Sequence, residues 1–271
     1  MDSLKIGDVV TRKSYGGDIH FKIADIANRS NNKKSFLLKG ILVRIIADSD
    51  EYDLELKSTD EVQKELQRSL STEGIHHMSG GFSPLQMFQR SRGRSGTILH
   101  IDSSAEFLEM CQKFYGDAKI RAYGRVIPES EQPGRVRSLL ASTHADILVV
   151  TGHDGLKKNA SKLHSLDSYR NSRFYIQSVI EARKYEPSFE KLCIFSGACQ
   201  SYYEGIMEAG ANFASSPGRI LIHALDPAKV GDRIALTDSR VFVTPEQIAR
   251  LTQSGSKGIG GVKTKGHYII K

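Results

Sequence analysis

From Thr97 onward, short apolar runs typical of strands alternate with longer stretches whose apolar residues recur at helical spacing. The predicted strands are TILHIDSS, KIRAYGRVI, DILVVTG, KLCIFSG, RILIHAL and RVFVT. The predicted helices are AEFLEMCQKFYG, PGRVRSLLASTHA, SYRNSRFYIQSVIEARKY, YYEGIMEAGANFA and PEQIARLTQSG. Consecutive strand–helix units build a parallel sheet that is covered by helices on both faces. We therefore expect residues 97–271 to form an α/β domain with a doubly wound, mostly parallel six-stranded sheet.

The first 57 residues have a different pattern. Short apolar runs alternate there with Gly-rich and Asn-rich turns, and several strands in so short a segment predict a small N-terminal β-barrel domain. Residues 58–96 begin with a polar helix pattern capped at Ser58 and continue into a Gly/Ser/Arg-rich stretch typical of a linker. The sequence thus predicts three parts, residues 1–57, 58–96 and 97–271.

Composition excludes several classes of function. The chain of 271 residues carries a formal net charge of +7, but its basic residues are scattered without interleaved aromatics, so we expect no nucleic-acid partner. No apolar run approaches the roughly 20 residues of a membrane helix. The N-terminus lacks an apolar signal core, so we expect a cytoplasmic protein without membrane association. Three cysteines are too few for a disulfide scaffold.

Sites in parallel sheets lie beyond the carboxyl ends of the strands, which directs attention to the predicted strand ends. The first strand ends at Asp102 and the fifth is followed by Asp226. The third runs into Thr-Gly-His-Asp-Gly and the fourth into Ser-Gly-Ala-Cys-Gln-Ser. These two turns each place one reactive side chain, His153 or Cys199, among small residues.

Cys199 is the most promising of the three cysteines. Cys111 lies on the apolar face of a predicted helix and Cys193 within an apolar strand, so both are predicted to be inert core residues. Cys199 lies beyond a strand and ahead of a predicted helix, whose dipole would stabilise a thiolate. Its small neighbours would let a substrate backbone come close. A helix-cap cysteine without a chemical role is the alternative.

His153 is the histidine best placed to act with this thiol. It lies between glycines directly beyond an apolar strand, whereas the other histidines fall in the linker, the tail, strands, loops or a helix end. If the third and fourth strands are neighbours, both turns open on the same edge of the sheet. A cysteine–histidine pair is then the leading hypothesis, and a structural turn histidine is the alternative.

Other chemistries find little support in the motifs. The sequence contains no metal-binding spacing such as C-x-x-C or H-x-x-x-H, and no phosphate loop. Its GIGG follows no convincing strand, which argues against a dinucleotide site. We therefore expect neither a metal nor a cofactor.

The order of the two turns resembles that of caspase-type cysteine peptidases. The histidine precedes the cysteine by 46 positions, against roughly 50 in caspases. Gly-Ala-Cys-Gln-Ser resembles the Q-A-C-x-G turn, with Gly197 in place of Gln and Ser201 in place of the last Gly. The resemblance implies a caspase-like fold for residues 97–271.

A closer resemblance extends over nearly the whole chain, to the YabG family of sporulation-specific proteases in endospore-forming bacteria. It rests on the segments KIGDVVTRKSY, RIIADSDEYDL, ILVVTGHDG and FSGACQSYYEGI. The resemblance implies a cysteine endopeptidase that cleaves spore coat and cortex-related precursor proteins after Arg or Lys and also processes itself. It implies action in the mother cell and the forming spore coat.

These resemblances imply roles for the strand-end residues. The Cys199 thiolate would attack the scissile carbonyl, and His153 would maintain the thiolate and protonate the leaving amine. The backbone N–H of Cys199, together with that of Gly155 or Asp154, would stabilise the oxyanion. The insertion of Asp154 between His153 and Gly155 leaves both amides as candidates.

A preference for basic residues requires an acid in the specificity pocket. The candidate acids are Asp102, Asp226 and Asp154, each of which would alternatively serve as a cap of a turn or helix. An enzyme with this preference would cut its own exposed, glycine-broken basic linker. The predicted self-cleavage sites there are Arg90, Arg92 and Arg94.

Two other classes of function remain open at this point. A glutamine-amidotransferase-like cysteine hydrolase also places its cysteine after a strand, although its histidine lies downstream, usually in H-x-E, which this chain lacks. A non-enzymatic spore coat assembly or binding protein would use the N-terminal domain, and Cys199 would be dispensable.

Overall fold

The computed structural model describes residues 3–28, 34–58, 60, 62, 64, 93–158, 160 and 162–270. They fall into two compact units, one within Met1–Leu42 and Ile46–Ser91 and the other within Val43–Ile45 and Arg92–Lys271. The short segment Val43–Ile45 thus belongs to the second unit, although its chain neighbours belong to the first. Most of the predicted helix and linker of residues 58–96 lies outside the described residues.

The first unit contains a five-stranded antiparallel sheet. Its strands are Val9–Arg12 (β1), Phe21–Asn28 (β2), Lys34–Gly40 (β3), Ile46–Asp50 (β4) and Leu54–Leu56 (β5), with 3₁₀ turns at Lys13–Tyr15 and Glu51–Asp53. The order across the sheet is β4-β3-β2-β1-β5. Phe21 and Ile23 of β2 are buried with Phe36 and Leu38 of β3, as expected where one face of a sheet is packed. The predicted short strands are confirmed, and closure into a barrel stays a prediction.

The second unit is built on a six-stranded sheet in the order β13-β11-β10-β9-β7-β8. The strands of this unit are Gly93–Arg94 (β6), Ile98–Asp102 (β7), Ala122–Val126 (β8), Ile147–Val150 (β9), Cys193–Ser196 (β10), Phe213–Ser215 (β11), Phe242–Val243 (β12), Ile259–Gly261 (β13), Thr264–Lys265 (β14) and Ile269–Ile270 (β15). All pairs in the large sheet are parallel except β11 with β13. Two small antiparallel pairs, β12 with β14 and β6 with β15, complete the unit.

Helices cover both faces of this sheet. They are Ala105–Asp117 (α1), Gln132–Thr143 (α2), Ser172–Tyr185 (α3), Tyr203–Glu208 (α4), Asp226–Leu236 (α5), Pro245–Ala249 (α6) and Gly255–Gly258 (α7), with a 3₁₀ turn at Leu166–Ser168. On one face, Leu99 and Leu148 share a buried cluster with side chains of α2 and α3. On the other, α5 approaches so closely that a Cβ on Gly231 would lie 3.3 Å from Ile98 Cδ1 and 3.5 Å from Val149 Cγ2. The predicted mostly parallel α/β sheet flanked by helices is confirmed, and its caspase-like character stays a prediction.

In the described part of the chain, none of the helices combines the length and the apolar character that a membrane crossing demands.

Two of the six strands predicted for the large sheet are not part of it. Residues 219–225 lie outside the large sheet, and the strand expected there is replaced by β11, which follows α4 in a segment predicted as one helix. Of residues 240–244, only Phe242–Val243 is a strand, and it pairs with β14. The sixth strand is β13, from the Gly-rich tail. A Cβ on Gly261 would lie 2.4 Å from Phe213 Cδ1, so this close approach requires glycine.

Arg183, near the C-terminal end of α3, donates hydrogen bonds to the segments that lead into β10 and β11. Its guanidinium donates to the carbonyls of Gly210 and Leu192 at 2.8 and 2.9 Å, and to Asn212 Oδ1 at 2.6 Å. Burial lowers the pKa of Arg183 to about 10. The arginine therefore supplies donors to acceptors from three segments, one of which, Asn212 Oδ1, also accepts from the Ile194 N–H.

We expect Arg183→Met to lower the free energy of unfolding by about 2–4 kcal/mol, because buried acceptors would lose their charged donor. Arg173→Met on the same helix is the matched control. Arg173 is half exposed and 3.7 Å from Asp167, so its loss is expected to cost less than about 0.5 kcal/mol. Urea denaturation of both variants measures the difference, and equal losses would contradict this role of Arg183.

Candidate active site

Three adjacent parallel strands, β7, β9 and β10, end at the same edge of the large sheet. Ser196 of β10 pairs with Val150 of β9, and β9 pairs with β7 on its other side. Asp102 ends β7, while His153 and Cys199 each follow their strand by three positions. The direction of strand order reverses between β7 and β9, and such a switch point is where α/β sheets bind ligands. The two predicted turns therefore open on one edge.

This edge also holds a residue that the motifs did not indicate. Arg44, in the segment Val43–Ile45, is fully buried. Its Nη1 donates to Asp102 Oδ2 at 2.5 Å, and its Nη2 and Nε donate to the carbonyl of Ala224 at 2.8 and 3.2 Å. The guanidinium carbon lies 4.7 Å from the centre of the Phe107 ring. The pocket thus offers a carboxylate, a carbonyl oxygen and an aromatic ring, which suit the charge and the planar donors of an arginine side chain.

The backbone of Arg44 is bound as well as its side chain. Its N–H donates to the carbonyl of Ile222 at 3.0 Å. Its own carbonyl oxygen accepts two bonds, from the backbone N–H groups of Cys199 and Asp154, both at 3.2 Å. Two amides that converge on one carbonyl oxygen, one of them from the candidate nucleophile, are typical of an oxyanion hole.

Asp102 ionises because of its partners. The Thr151 hydroxyl donates to its Oδ2 at 2.7 Å, and the Ser104 N–H donates to its Oδ1 at 2.8 Å. Burial disfavours the carboxylate, but the charge of Arg44 and the backbone hydrogen bond from Ser104 outweigh it and hold the pKa of Asp102 well below its usual range. Among the three predicted acids, Asp102 is the one paired with an arginine.

His100 supports this carboxylate from within the sheet. Its Nε2 lies 2.9 Å from Thr151 Oγ1 and its Nδ1 lies 3.0 Å from Tyr115 Oη. Because Thr151 gives its one hydroxyl proton to Asp102, Nε2 of His100 donates to Thr151 and Nδ1 accepts from Tyr115. Burial lowers the pKa of His100, which favours this neutral form.

The Asp154 carboxylate holds the two turns together. Its Oδ1 accepts from the N–H groups of Gly155 and Asn171 at 2.8 and 2.9 Å. Its Oδ2 accepts from the hydroxyls of Ser172 and Ser201 at 2.5 and 3.0 Å. Burial raises the pKa of Asp154 to about 6, although these hydrogen bonds oppose the change. Of the two amides predicted to join that of Cys199, only the amide of Asp154 reaches the Arg44 carbonyl.

Asp226, the third predicted acid, is used elsewhere. It begins α5, and its two oxygens accept from the backbone N–H groups of Gln253 and Ser254, both at 2.9 Å. The Lys229 ammonium lies 4.0 Å away. Asp226 thus stabilises the turn between α6 and α7.

Cys199 is a buried thiol in this structure. Its Sγ accepts from the N–H of Ile222 at 3.0 Å. Burial raises its pKa to about 12, against the smaller opposing effects of the Ile222 hydrogen bond and the Arg44 charge. The predicted effect of a helix dipole on the thiolate does not govern this state, because α4 is only six residues long and begins at Tyr203. The turn itself depends on Gly197, whose φ of +112° favours glycine.

His153 is almost fully buried, and its ring stacks on Phe107 with 5.1 Å between ring centres. Its backbone is held on both sides. The N–H donates to Glu129 Oε1 at 2.8 Å, and the carbonyl accepts from Asn171 Nδ2 at 2.7 Å. Phe107 therefore contacts both the histidine and the guanidinium of Arg44.

The other two cysteines, Cys111 and Cys193, are buried in the core, as predicted. Burial raises the pKa of each to about 12. Throughout residues 3–28, 34–58 and the described part of 93–270, no group of three or more His, Cys, Asp or Glu side chains is arranged to hold a metal ion.

Of the three predicted self-cleavage arginines, Arg94 is the one that lies among the described residues. Arg94 has an exposed side chain in β6, where it pairs with Ile269. Arg90 and Arg92 lie outside the described residues.

Sequence reasoning missed Arg44, Ile222 and Ala224. A signal for Arg44 was present, because ILVRII places one charged residue within an apolar run. Ile222 and Ala224 lie in RILIHAL, whose apolar pattern predicts a sheet strand. Their carbonyls bind Arg44 instead.

Comparison with known proteins identifies the family of this chain. A family model described as YabG peptidase U57 matches residues 5–271. The sporulation-specific protease YabG of Bacillus subtilis (strain 168) is 35% identical over 286 residues, which cover 97% of this chain and 95% of that relative. The chain is thus a peptidase built on an α/β fold. More particularly, it belongs to the YabG peptidase family U57.

The buried carboxylate of Asp154 predicts a dependence of stability on pH. Its folded-state pKa of about 6 exceeds the ordinary 3.8, so the folded protein retains a proton there after the unfolded chain has lost it. The stabilisation is therefore complete below pH 3.8 and is lost as the pH rises through about 6. We expect wild type to lose about 3 kcal/mol relative to Asp154→Asn over this range. Urea denaturation of both proteins at pH 3–7 tests this, and a constant difference would contradict it.

Proposed function

We propose that this peptidase is a cysteine endopeptidase that cleaves after arginine and, less readily, after lysine. One observation carries the proposal. A single residue, Arg44, places its guanidinium on Asp102 and its carbonyl oxygen on the amides of Cys199 and Asp154. An enzyme of this specificity needs both contacts for the residue before its scissile bond.

The mechanism follows from the residues around that carbonyl. Cys199 Sγ would attack the carbonyl carbon after His153 has taken the thiol proton. The backbone N–H groups of Cys199 and Asp154 would stabilise the oxyanion, since both already point at the carbonyl oxygen. His153 would then give its proton to the leaving amine, and water would hydrolyse the thioester.

Asp102 would set the specificity. A guanidinium offers planar donors that reach Asp102 and the Ala224 carbonyl at the same time, as those of Arg44 do. A lysine ammonium is a compact charge that would pair with Asp102 without reproducing this geometry. A neutral side chain would leave a buried carboxylate unpaired, which is strongly unfavourable.

The relative named as a sporulation-specific protease suggests that the biological substrates are proteins of sporulation. We propose spore coat and cortex-related precursor proteins, cut at basic residues in the mother cell and the forming coat. Processing of the chain by itself belongs to the same activity, because any arginine that reaches the site in an extended segment is a substrate.

Turnover of a fluorogenic peptide with one arginine tests the chemistry. We expect Cys199→Ala to reduce kcat/KM by about 10⁴-fold or more, because the nucleophile is lost. Cys193→Ala, which removes another buried thiol, from within β10, is the matched control and should retain turnover. If Cys199→Ala equals wild type, the cysteine mechanism is wrong. If neither protein cleaves any basic peptide, a binding function is favoured.

A second comparison tests the specificity acid. We expect Asp102→Asn to lower kcat/KM for arginine peptides by about 10²-fold, because the incoming cation would lose its buried partner. The matched control, Asp226→Asn, removes a buried carboxylate that caps a turn, and it should keep the ratio of arginine to leucine cleavage. Parallel assays with the two peptides measure this ratio. An unchanged ratio in Asp102→Asn would sink the assignment.

A further inference from the structure

We propose that the bond between Arg44 and Ile45 is the chain's own cleavage site and that Val43–Ile45 blocks the active site until this bond is cut. The inference rests on the proposed function and adds to it the bond, the order of events and a means of regulation. It replaces the linker arginines as the primary site of self-processing.

On the N-terminal side of the bond, the chain is bound as an extended strand. Val43 forms an antiparallel bridge with His223, and the Arg44 N–H donates to the carbonyl of Ile222 at 3.0 Å. Main-chain hydrogen bonds of this kind are a common means of binding an extended peptide, because they fix its register. Here that register delivers the Arg44 side chain to Asp102.

On the C-terminal side, the chain continues across the two catalytic turns. The carbonyl of Arg44 lies on the amides of Cys199 and Asp154, and Ile45 forms a parallel bridge with Asp154. The segment thus extends past the candidate nucleophile on both sides of one peptide bond. A bond held in this way is presented as a substrate would be.

The charge of Arg44 argues against a purely structural role for this segment. A buried ion pair is seldom more stable than apolar residues of similar volume, and the residues on either side of Arg44 are apolar. An apolar side chain would anchor the segment equally well. By contrast, Arg94 has an exposed side chain, without a comparable pocket around it in the described structure.

The occupied site cannot accept another arginine. Asp102 and both amides are bound to Arg44, and the Cys199 thiol is buried beside them. A free peptide would have to displace a segment that is covalently attached. The segment therefore acts as an inhibitor in the intact chain and as the first substrate.

The cleavage step balances with water as the only co-reactant. The Cys199 sulfur bonds to the carbonyl carbon of Arg44 while its proton passes to His153. The bond between that carbon and the Ile45 nitrogen breaks, and the proton moves from His153 to the new amine. Water then releases the Arg44 carboxylate and restores the thiol.

Cleavage would leave the N-terminal sheet paired. β1, β2 and β3 would belong to one fragment and β4 and β5 to the other, but β3 pairs with β4 and β1 pairs with β5. The fragments are therefore expected to co-elute under native conditions. Denaturing analysis is needed to see the cut.

Intact mass spectrometry during a time course, with turnover of an arginine peptide followed in parallel, tests the proposal. Wild type is expected to yield fragments that end at Arg44 and begin at Ile45, with a lag in peptide turnover before the cut. Arg44→Gln is expected to remain uncut at this bond and to show no lag. Its initial rate should be roughly tenfold that of uncut wild type, because an attached segment competes at an effective concentration in the millimolar range.

Ile45→Pro covers the case in which Arg44→Gln does not fold. It keeps Arg44 in the pocket and replaces the scissile amide by one that peptidases rarely cut, so it is expected to stay intact and to turn over little peptide. Arg94→Gln, at an exposed arginine, is the matched control and should be processed like wild type. Circular dichroism checks the fold of each variant.

The outcomes separate this inference from the proposed function. Arginine-peptide turnover that depends on Cys199, together with fragments that do not begin at Ile45, would overturn the inference alone. If Ile45→Pro turns over the arginine peptide as fast as processed wild type, Val43–Ile45 does not block the active site, and that part of the inference is overturned. Absence of both self-cleavage and peptide turnover in wild type and in Arg44→Gln would overturn the proposed function itself.

Discussion

The site is organised around one buried ion pair, between Arg44 and Asp102. Removing both charges from water costs several kcal/mol per ion, which is recovered only if the remaining donors and acceptors are also satisfied. They are, since Asp102 accepts from Thr151 and Ser104, and Arg44 donates to the Ala224 carbonyl. These partners belong to the ends of β7 and β9 and to the segment before α5. The need to pair every donor of the buried arginine therefore fixes the relative positions of the ends of β7 and β9 and of the segment before α5.

The two buried carboxylates of the site show how surroundings assign different tasks to the same group. Asp102 faces a guanidinium, so its pKa falls despite burial. Asp154 faces neutral donors from Ser172, Ser201 and the backbone, so burial prevails and its pKa rises. In the proposed enzyme, the first carboxylate would select a cation. The second positions the amide that would stabilise the oxyanion, because it ties the histidine turn to the cysteine turn.

The parts of the fold that were predictable are those with a strong local pattern. The apolar runs of β7, β9 and β10, bounded by small residues, predicted three strands and placed His153 and Cys199 just beyond the ends of two of them. The edge of the sheet was not predictable, since β13 comes from a glycine-rich tail that lacks a strand pattern. The identity of the paired acid was also open, because nothing local distinguishes Asp102 from Asp226. Arg44 lies 58 positions from its partner, and long-range pairing of this kind leaves no periodic signal in one sequence.

A buried, protonated thiol is a poor nucleophile, and the proposed block of the pocket by Val43–Ile45 would account for this state of Cys199. Burial raises the pKa of Cys199, whereas the charge of Arg44 lowers it, and the Arg44 carbonyl lies on the Cys199 amide. Departure of the segment would admit water to the thiol and, at the same time, leave Asp102 without its cation. The first change would bring the thiol pKa towards that of an exposed cysteine, low enough for His153 to act as its base. The second would create the demand for a basic side chain. In the proposed enzyme, departure of the Val43–Ile45 segment would therefore make the Cys199 thiol reactive and free Asp102 to select a basic residue. The enzyme would become reactive only when its specificity pocket is also open.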